Sequence, residues 1–155
     1  MARVAAETIA AALLLTTCLA WSSDLSADLS AVAHRAKVEA LVEVEQAIRN
    51  VPRISIDELK ALMEKNAVLV IDVRDPDSFK KGRIPGAVNV DYTQVLQQAD
   101  RFKGETRTIV TYCACAREMT SARAAVDLAQ QGIPGAKALV GGWDEWIQRG
   151  EKVEK

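Results

Sequence analysis

Ile109-Val-Thr-Tyr-Cys113-Ala-Cys115-Ala-Arg117-Glu-Met-Thr120-Ser121-Ala-Arg123 is a β-branched run that ends at a cysteine and is followed by a polar loop. Good helix formers then continue to about Gln131. This order predicts a strand, a loop and a helix, with the Cys113 thiol at the C-terminal end of the strand, facing the N-terminus of the helix. There the helix dipole and unpaired backbone N–H groups favour a thiolate over a thiol, so a sulfur can become nucleophilic without a histidine beside it. The only histidine, His34, is remote in sequence.

Outward from this stretch the chain alternates short helices and apolar strands. Ser55-Ile-Asp-Glu58 is a capping box that predicts a helix to about Lys65. Ala67-Val-Leu-Val-Ile71 reads as a strand buried on both faces. Asp72-Val-Arg74-Asp-Pro76 turns the chain into a short helical piece ending near Gly82, followed by a strand at Ala87–Val90 and a helix at Tyr92–Ala99. Beyond the cysteine helix lie a strand at Ala136–Val140, a turn at Gly141-Gly142 and a helix at Trp143–Gln148. Strands separated by helices predict an α/β fold, a doubly wound parallel sheet flanked by helices. Ligand sites in such sheets form at the C-terminal strand ends, where Cys113 falls.

The 155 residues carry 20 basic and 21 acidic side chains, a formal net charge of −1, with lysine and arginine scattered. That balance argues against a nucleic-acid partner, and no glycine-rich phosphate loop is present. One histidine and a C-x-C pair do not supply the ligands of a zinc site, so neither metal nor cofactor is expected. The three cysteines, Cys18, Cys113 and Cys115, do not read as the disulfide framework of a small secreted domain.

Three segments are expected. Residues 1–22 contain an apolar run, Thr8 to Trp21, of signal-peptide length and short of the roughly 20 apolar residues of a membrane span. The expectation is export to a periplasm-like compartment or attachment to the membrane, with lipidation at Cys18 or an uncleaved anchor as variants and a cytoplasmic protein as the alternative. Residues 23–50 read as an amphipathic helical extension, with Leu25, Leu29, Val32, Ala36, Ala40, Val44 and Ile48 in a narrow stripe that suits a spacer helix, a weak coiled coil or a helix laid on the domain, a solvated connecting helix being the favoured reading. Pro52 marks the boundary of a domain over 51–151.

Four blocks in this domain resemble the rhodanese-like domain of sulfurtransferases in the family's order. They are Val70-Ile-Asp72-Val-Arg74, Phe79-Lys-Lys-Gly82-Arg-Ile84-Pro85-Gly86-Ala87-Val-Asn89, Ile109-Val-Thr-Tyr-Cys113 and Leu139-Val-Gly141-Gly142-Trp143-Asp-Glu-Trp146. The resemblance runs from about Arg53 to Gly150. It implies a loop cysteine that takes a sulfane sulfur from a thiosulfate-like donor, becomes a persulfide and passes the sulfur to a thiol, a protein thiol included, or to cyanide. A persulfide is anionic, and loop N–H groups with a helix N-terminus can hold it without a metal.

The loop departs from the family pattern of Cys, two residues, Gly, one residue, Arg-Ser. Cys113 is followed by Ala114, Cys115, Ala116, Arg117, Glu118, Met119, Thr120 and Ser121, with no glycine. Counted from Cys113 the loop is about two residues longer than the pattern; counted from Cys115 the spacing to Ser121 fits. The strand-to-cysteine junction favours Cys113 as the nucleophile, leaving Cys115 as a second, resolving or redox-active thiol. Arg117 and Arg123 are candidate anion binders, Arg123 with the plainer role of pairing with Glu118 or Asp127. Thr120 and Ser121 are read as helix caps and Met119 as a packing residue. Asp72 and Arg74 match a pair in the family, but their simpler reading is an ion-paired turn after a buried strand. A non-catalytic or sulfur-carrying domain that binds a partner protein is the competing class. A phosphatase-like or arsenate reductase loop would need arginine six positions after the cysteine, where Met119 or Ser121 stands.

Overall fold

The computed structural model of the chain describes residues 28–115 and 117–155. The export or anchoring segment, with Cys18, lies outside the described residues, as do 23–27 of the expected extension and Ala116 of the loop. The chain divides between Glu43 and Val44 into two units. In the first, 28–43 are helical, with Leu29, Val32, Val38, Leu41 and Val42 exposed. Helix α1 covers 28–50, and its part in the second unit is not a mere connector: Ile48 is buried in the core, with Val44 and Ala47 packed against it. The domain core therefore begins before the boundary expected at Pro52.

The second unit holds a five-stranded sheet of order β1-β5-β4-β2-β3, in which every pairing is parallel. Its strands are β1 (Arg53–Ile54), β2 (Val68–Asp72), β3 (Val88–Asn89), β4 (Thr108–Tyr112) and β5 (Lys137–Leu139). The helices between them are α2 (Ile56–Glu64), α3 (Pro76–Lys81), α4 (Val95–Gln98) and α5 (Met119–Gln130), α6 (Gly142–Gln148) follows β5, and 3₁₀ turns lie at Tyr92–Gln94 and Ala99–Phe102. The capping box at Ser55 and Glu58 is formed, and Asp75 caps α3 ahead of Pro76. The short edge strand β1 was not foreseen: Arg53–Ile54 carry no periodic signal, and their pairing is supplied by β5 through Ala138 N–H to Pro52 O and Val140 N–H to Ile54 O.

β2 is buried at all five positions and β4 at four, as the apolar runs require of central parallel strands. Alternation then sorts the side chains into two cores. Leu69, Ile71, Ile109 and Cys113 face α1, α4 and α5; Val68, Val70, Val110 and Tyr112 face α2 and α6. The seven residues after α6 run back over the second core. Arg83 and Glu154 form an isolated antiparallel bridge and an ion pair, and the Trp146 indole donates to Lys152 O at 3.0 Å.

Because Ile48 belongs to the main core, Ile48→Ala should lower stability by about 2–4 kcal/mol, as for other large-to-small core changes. Urea unfolding of the two proteins measures it; an unchanged midpoint would show α1 to be dispensable to the core.

Candidate functional site

Register brings the site together at the C-terminal ends of β2 and β4. Asp72 pairs with Tyr112 across the two strands, so the turn carrying Val73 and Arg74 and the loop opened by Cys113 leave the sheet at the same edge. The Asp72 carboxylate is fully buried. It accepts from the backbone N–H of Arg74 at 2.9 Å, from the Arg74 guanidinium at 2.6 Å and from the Tyr112 hydroxyl. Arg74 also donates to Gly82 O at 2.7 Å and lies 4.2 Å from the centre of the Trp143 ring. The expected ion-paired turn is present, but as a buried pair with side chains 8% and 0% exposed rather than a surface one.

On the other side of the cysteine, the backbone of α6 is drawn against the strand end. The Trp143 N–H donates to Cys113 O at 2.8 Å. A Cβ on Gly142, whose φ is +51°, would stand 2.2 Å from that same oxygen, so glycine is required by space and by conformation. The Gly-Gly-Trp block is thus part of the frame of the loop. Trp143, expected chiefly as a packing residue, lines an open cavity of about 270 Å³ with Arg74, Ser78, Lys81, Gly82 and Ala114. Trp146 packs in the core as expected.

Cys113 is 4% exposed and Cys115 half-buried, and the structure pairs them as a disulfide across one residue, with Cα atoms 5.6 Å apart. That separation lies in the disulfide range of about 4.4–6.8 Å. The loop closes by Glu118 N–H donating to Cys115 O at 3.1 Å, and Glu118 adopts a left-handed conformation with φ +50°. Its carboxylate accepts from Gly141 N–H at 2.9 Å, which ties the loop to the turn before α6. No sequence signal marked this latch, since a loop glutamate reads as solvated.

Several expectations for the loop are corrected. Thr120 and Ser121 do not cap α5. The N-cap is Glu118, without a side-chain cap bond, which leaves both hydroxyls inside the first turn. They face sulfur instead: Ser121 Oγ lies 3.7 Å from Cys113 Sγ and Thr120 Oγ1 lies 3.6 Å from Cys115 Sγ. Ser121 also donates to Glu118 O at 3.0 Å. Met119 is not a packing residue; at the first position of α5 it is 49% exposed, off the face that α5 buries. Arg123 pairs with Asp127 at 2.9 Å, its plainer role. Arg117 is exposed. The cationic side chains beside the cavity are Arg74 and Lys81, which sequence reasoning about the loop alone did not bring to this place. Among the described residues no cluster of histidine, cysteine and carboxylate side chains could hold a metal.

Burial, and then the neighbouring Asp72 carboxylate, push the Tyr112 hydroxyl far above the ordinary phenol range. The folded state thus holds this proton more tightly than the unfolded one. Its stabilising contribution is complete below the unfolded value of about 10 and is lost as pH rises above it. In an ultraviolet titration, the difference between wild type and Tyr112→Phe should show phenolate only where circular dichroism reports unfolding. A Tyr112 phenolate formed near pH 10 in folded protein would contradict this burial. Gly142→Ala should cost about 2 kcal/mol or more, from the left-handed backbone and the collision with Cys113 O. Thermal melting measures it, and wild-type stability would refute the close approach.

The family model for the rhodanese-like domain matches residues 55–149. A protein named thiosulfate sulfurtransferase GlpE from Pseudoalteromonas translucida is 30% identical over 103 residues, covering 66% of this chain and 95% of that protein. The protein of the same name from Pseudomonas entomophila is 33% identical, covering 61% and 83%. The human thiosulfate:glutathione sulfurtransferase is 27% identical, covering 63% and 95%. Among solved structures, the human single-domain sulfurtransferase superposes with a TM-score of 0.55 at 21% identity, covering 64% of this chain and 98% of its own. The rhodanese-like domain of an Anabaena protein superposes with a TM-score of 0.59 at 26% identity, covering 66% and 78%.

Proposed function

The chain belongs to the rhodanese-like domain family, and from that membership we propose that it is a sulfurtransferase working through a persulfide on Cys113. The observation that carries this reading is the position of Cys113, at the end of β4 against the first turn of α5. The N–H groups of that turn have no intrahelical partner, so they and the helix dipole favour the thiolate and then the anionic persulfide. The relatives named thiosulfate sulfurtransferases support thiosulfate as donor.

In the first half-reaction the Cys113 thiolate bonds to the outer sulfur of thiosulfate. The donor's S–S bond breaks, and sulfite leaves with the electron pair. In the second, a thiol or cyanide takes the sulfur from Cys113. Dividing the transfer in this way replaces one difficult step with two displacements at sulfur. The cavity beside Ala114 supports entry of a small anion, because Lys81 sets positive charge along its wall, while the Arg74 charge is balanced by Asp72. Asp72, Tyr112 and Trp143 act as positioning residues: they hold the strand end and the Cys113 carbonyl, and with them the direction of the sulfur.

Treating reduced protein with thiosulfate should add one sulfur, about 32 Da in intact mass, with release of sulfite, and Cys113→Ser should abolish both. Sulfur loading that survives in Cys113→Ser would overturn the assignment of the nucleophile.

A further inference from the structure

The pairing of the two sulfurs is not used by the scheme above. We infer that Cys115 is a resolving thiol: it attacks the Cys113 persulfide, so that this domain releases its sulfur as hydrosulfide and consumes a dithiol reductant. The inference rests on the persulfide reading and names the thiol that first meets the bound sulfur.

Four observations carry it. The Sγ atoms of Cys113 and Cys115 are in bonding contact, so the inner sulfur of a persulfide on Cys113 is within reach of Cys115 with little movement of the chain. Cys113 is 4% exposed and Cys115 half-buried, so an outside acceptor meets Cys115 first. Each sulfur also has its own hydroxyl in the first turn of α5, Ser121 for Cys113 and Thr120 for Cys115. Finally, the loop is held in this shape by the Glu118 carboxylate on Gly141 N–H and the Glu118 N–H on Cys115 O. A thiol fixed at such a distance competes with dissolved acceptors at a high effective concentration.

The step balances. The Cys115 thiolate forms a bond to Cys113 Sγ, and the bond from Cys113 Sγ to the outer sulfur breaks. The outer sulfur departs with that electron pair and takes up the proton released by the Cys115 thiol, leaving as hydrosulfide. The two cysteines are oxidised to a disulfide, and the sulfane sulfur is reduced to sulfide. An external dithiol then attacks the more exposed sulfur, Cys115. Cys113 leaves as the thiolate at the helix N-terminus, ready for the next donor, and a second exchange frees Cys115.

The test is a single turnover of the full chain, reduced, under anaerobic conditions, with one equivalent of thiosulfate and no reductant. Wild type should release about one sulfite and one hydrosulfide per chain and end about 2 Da lighter than the reduced protein. Cys115→Ser should release sulfite, retain the added sulfur and yield less than about a tenth of the hydrosulfide. Cys115→Ala repeats the measurement, so that a serine-specific effect on folding does not decide it. If wild type keeps the extra sulfur and releases no hydrosulfide, the resolving role falls while the persulfide reading stands. If Cys113→Ser releases sulfite and Cys115→Ser does not, the roles are reversed and the inference is overturned. If no form releases sulfite or gains sulfur, both readings fall together.

Discussion

The buried carboxylate of Asp72 is the constraint on which the C-terminal edge of the sheet, with its cysteine loop, depends. A carboxylate removed from water is tolerable only when its oxygens are fully engaged, and here a guanidinium, a phenol and a backbone N–H meet it. Each of these partners belongs to a segment that must be correctly placed. Arg74 carries the turn after β2 and reaches Gly82; Tyr112 is the residue before Cys113 and its hydroxyl also accepts from Ile84 N–H at 3.2 Å. The arrangement adds little net stability over an apolar equivalent, but it strongly disfavours any other register of β2 against β4. In this sense the pair shared with the family acts on the cysteine by geometry.

A second frame comes from α6. Its first turn approaches the strand end closely enough that glycine is required at 142, and that approach allows Trp143 to donate to Cys113 O. Trp143 then covers Arg74, so the two frames share one aromatic ring. The loop from Cys113 to Glu118 spans the space between them and is closed by the Glu118 carboxylate on Gly141. Both ends of this longer loop are therefore fixed to the same turn, which is how it can bring a second sulfur against the first.

Much of this was readable from the chain. The apolar run at 67–71, the β-branched run at 109–112, the capping box at Ser55 and the glycine pair at 141–142 all report local preferences, and they lie in the elements they predicted. The cysteine at the end of β4 was legible for the same reason: strand propensity stops there and helix propensity starts shortly after. The less accurate readings concerned residues whose role depends on a distant partner. Thr120 and Ser121 read as caps because their chemistry suits caps, yet the αL residue Glu118 took that place and left their hydroxyls to the sulfurs. Met119 read as packing because it is apolar, and its position in the turn left it in solvent.

The sequence by itself determined the alternation of strands and helices, the parallel sheet and the cysteine at its C-terminal edge, because these follow from propensity, period and turn chemistry over neighbouring residues. Only the tertiary structure decided that Asp72, Arg74, Tyr112 and Trp143 form one cluster, that Ile48 belongs to the core, and that Glu118 latches the loop. Such contacts join residues tens of positions apart. Their energies depend on burial and on register between strands, and neither quantity exists until the sheet has assembled.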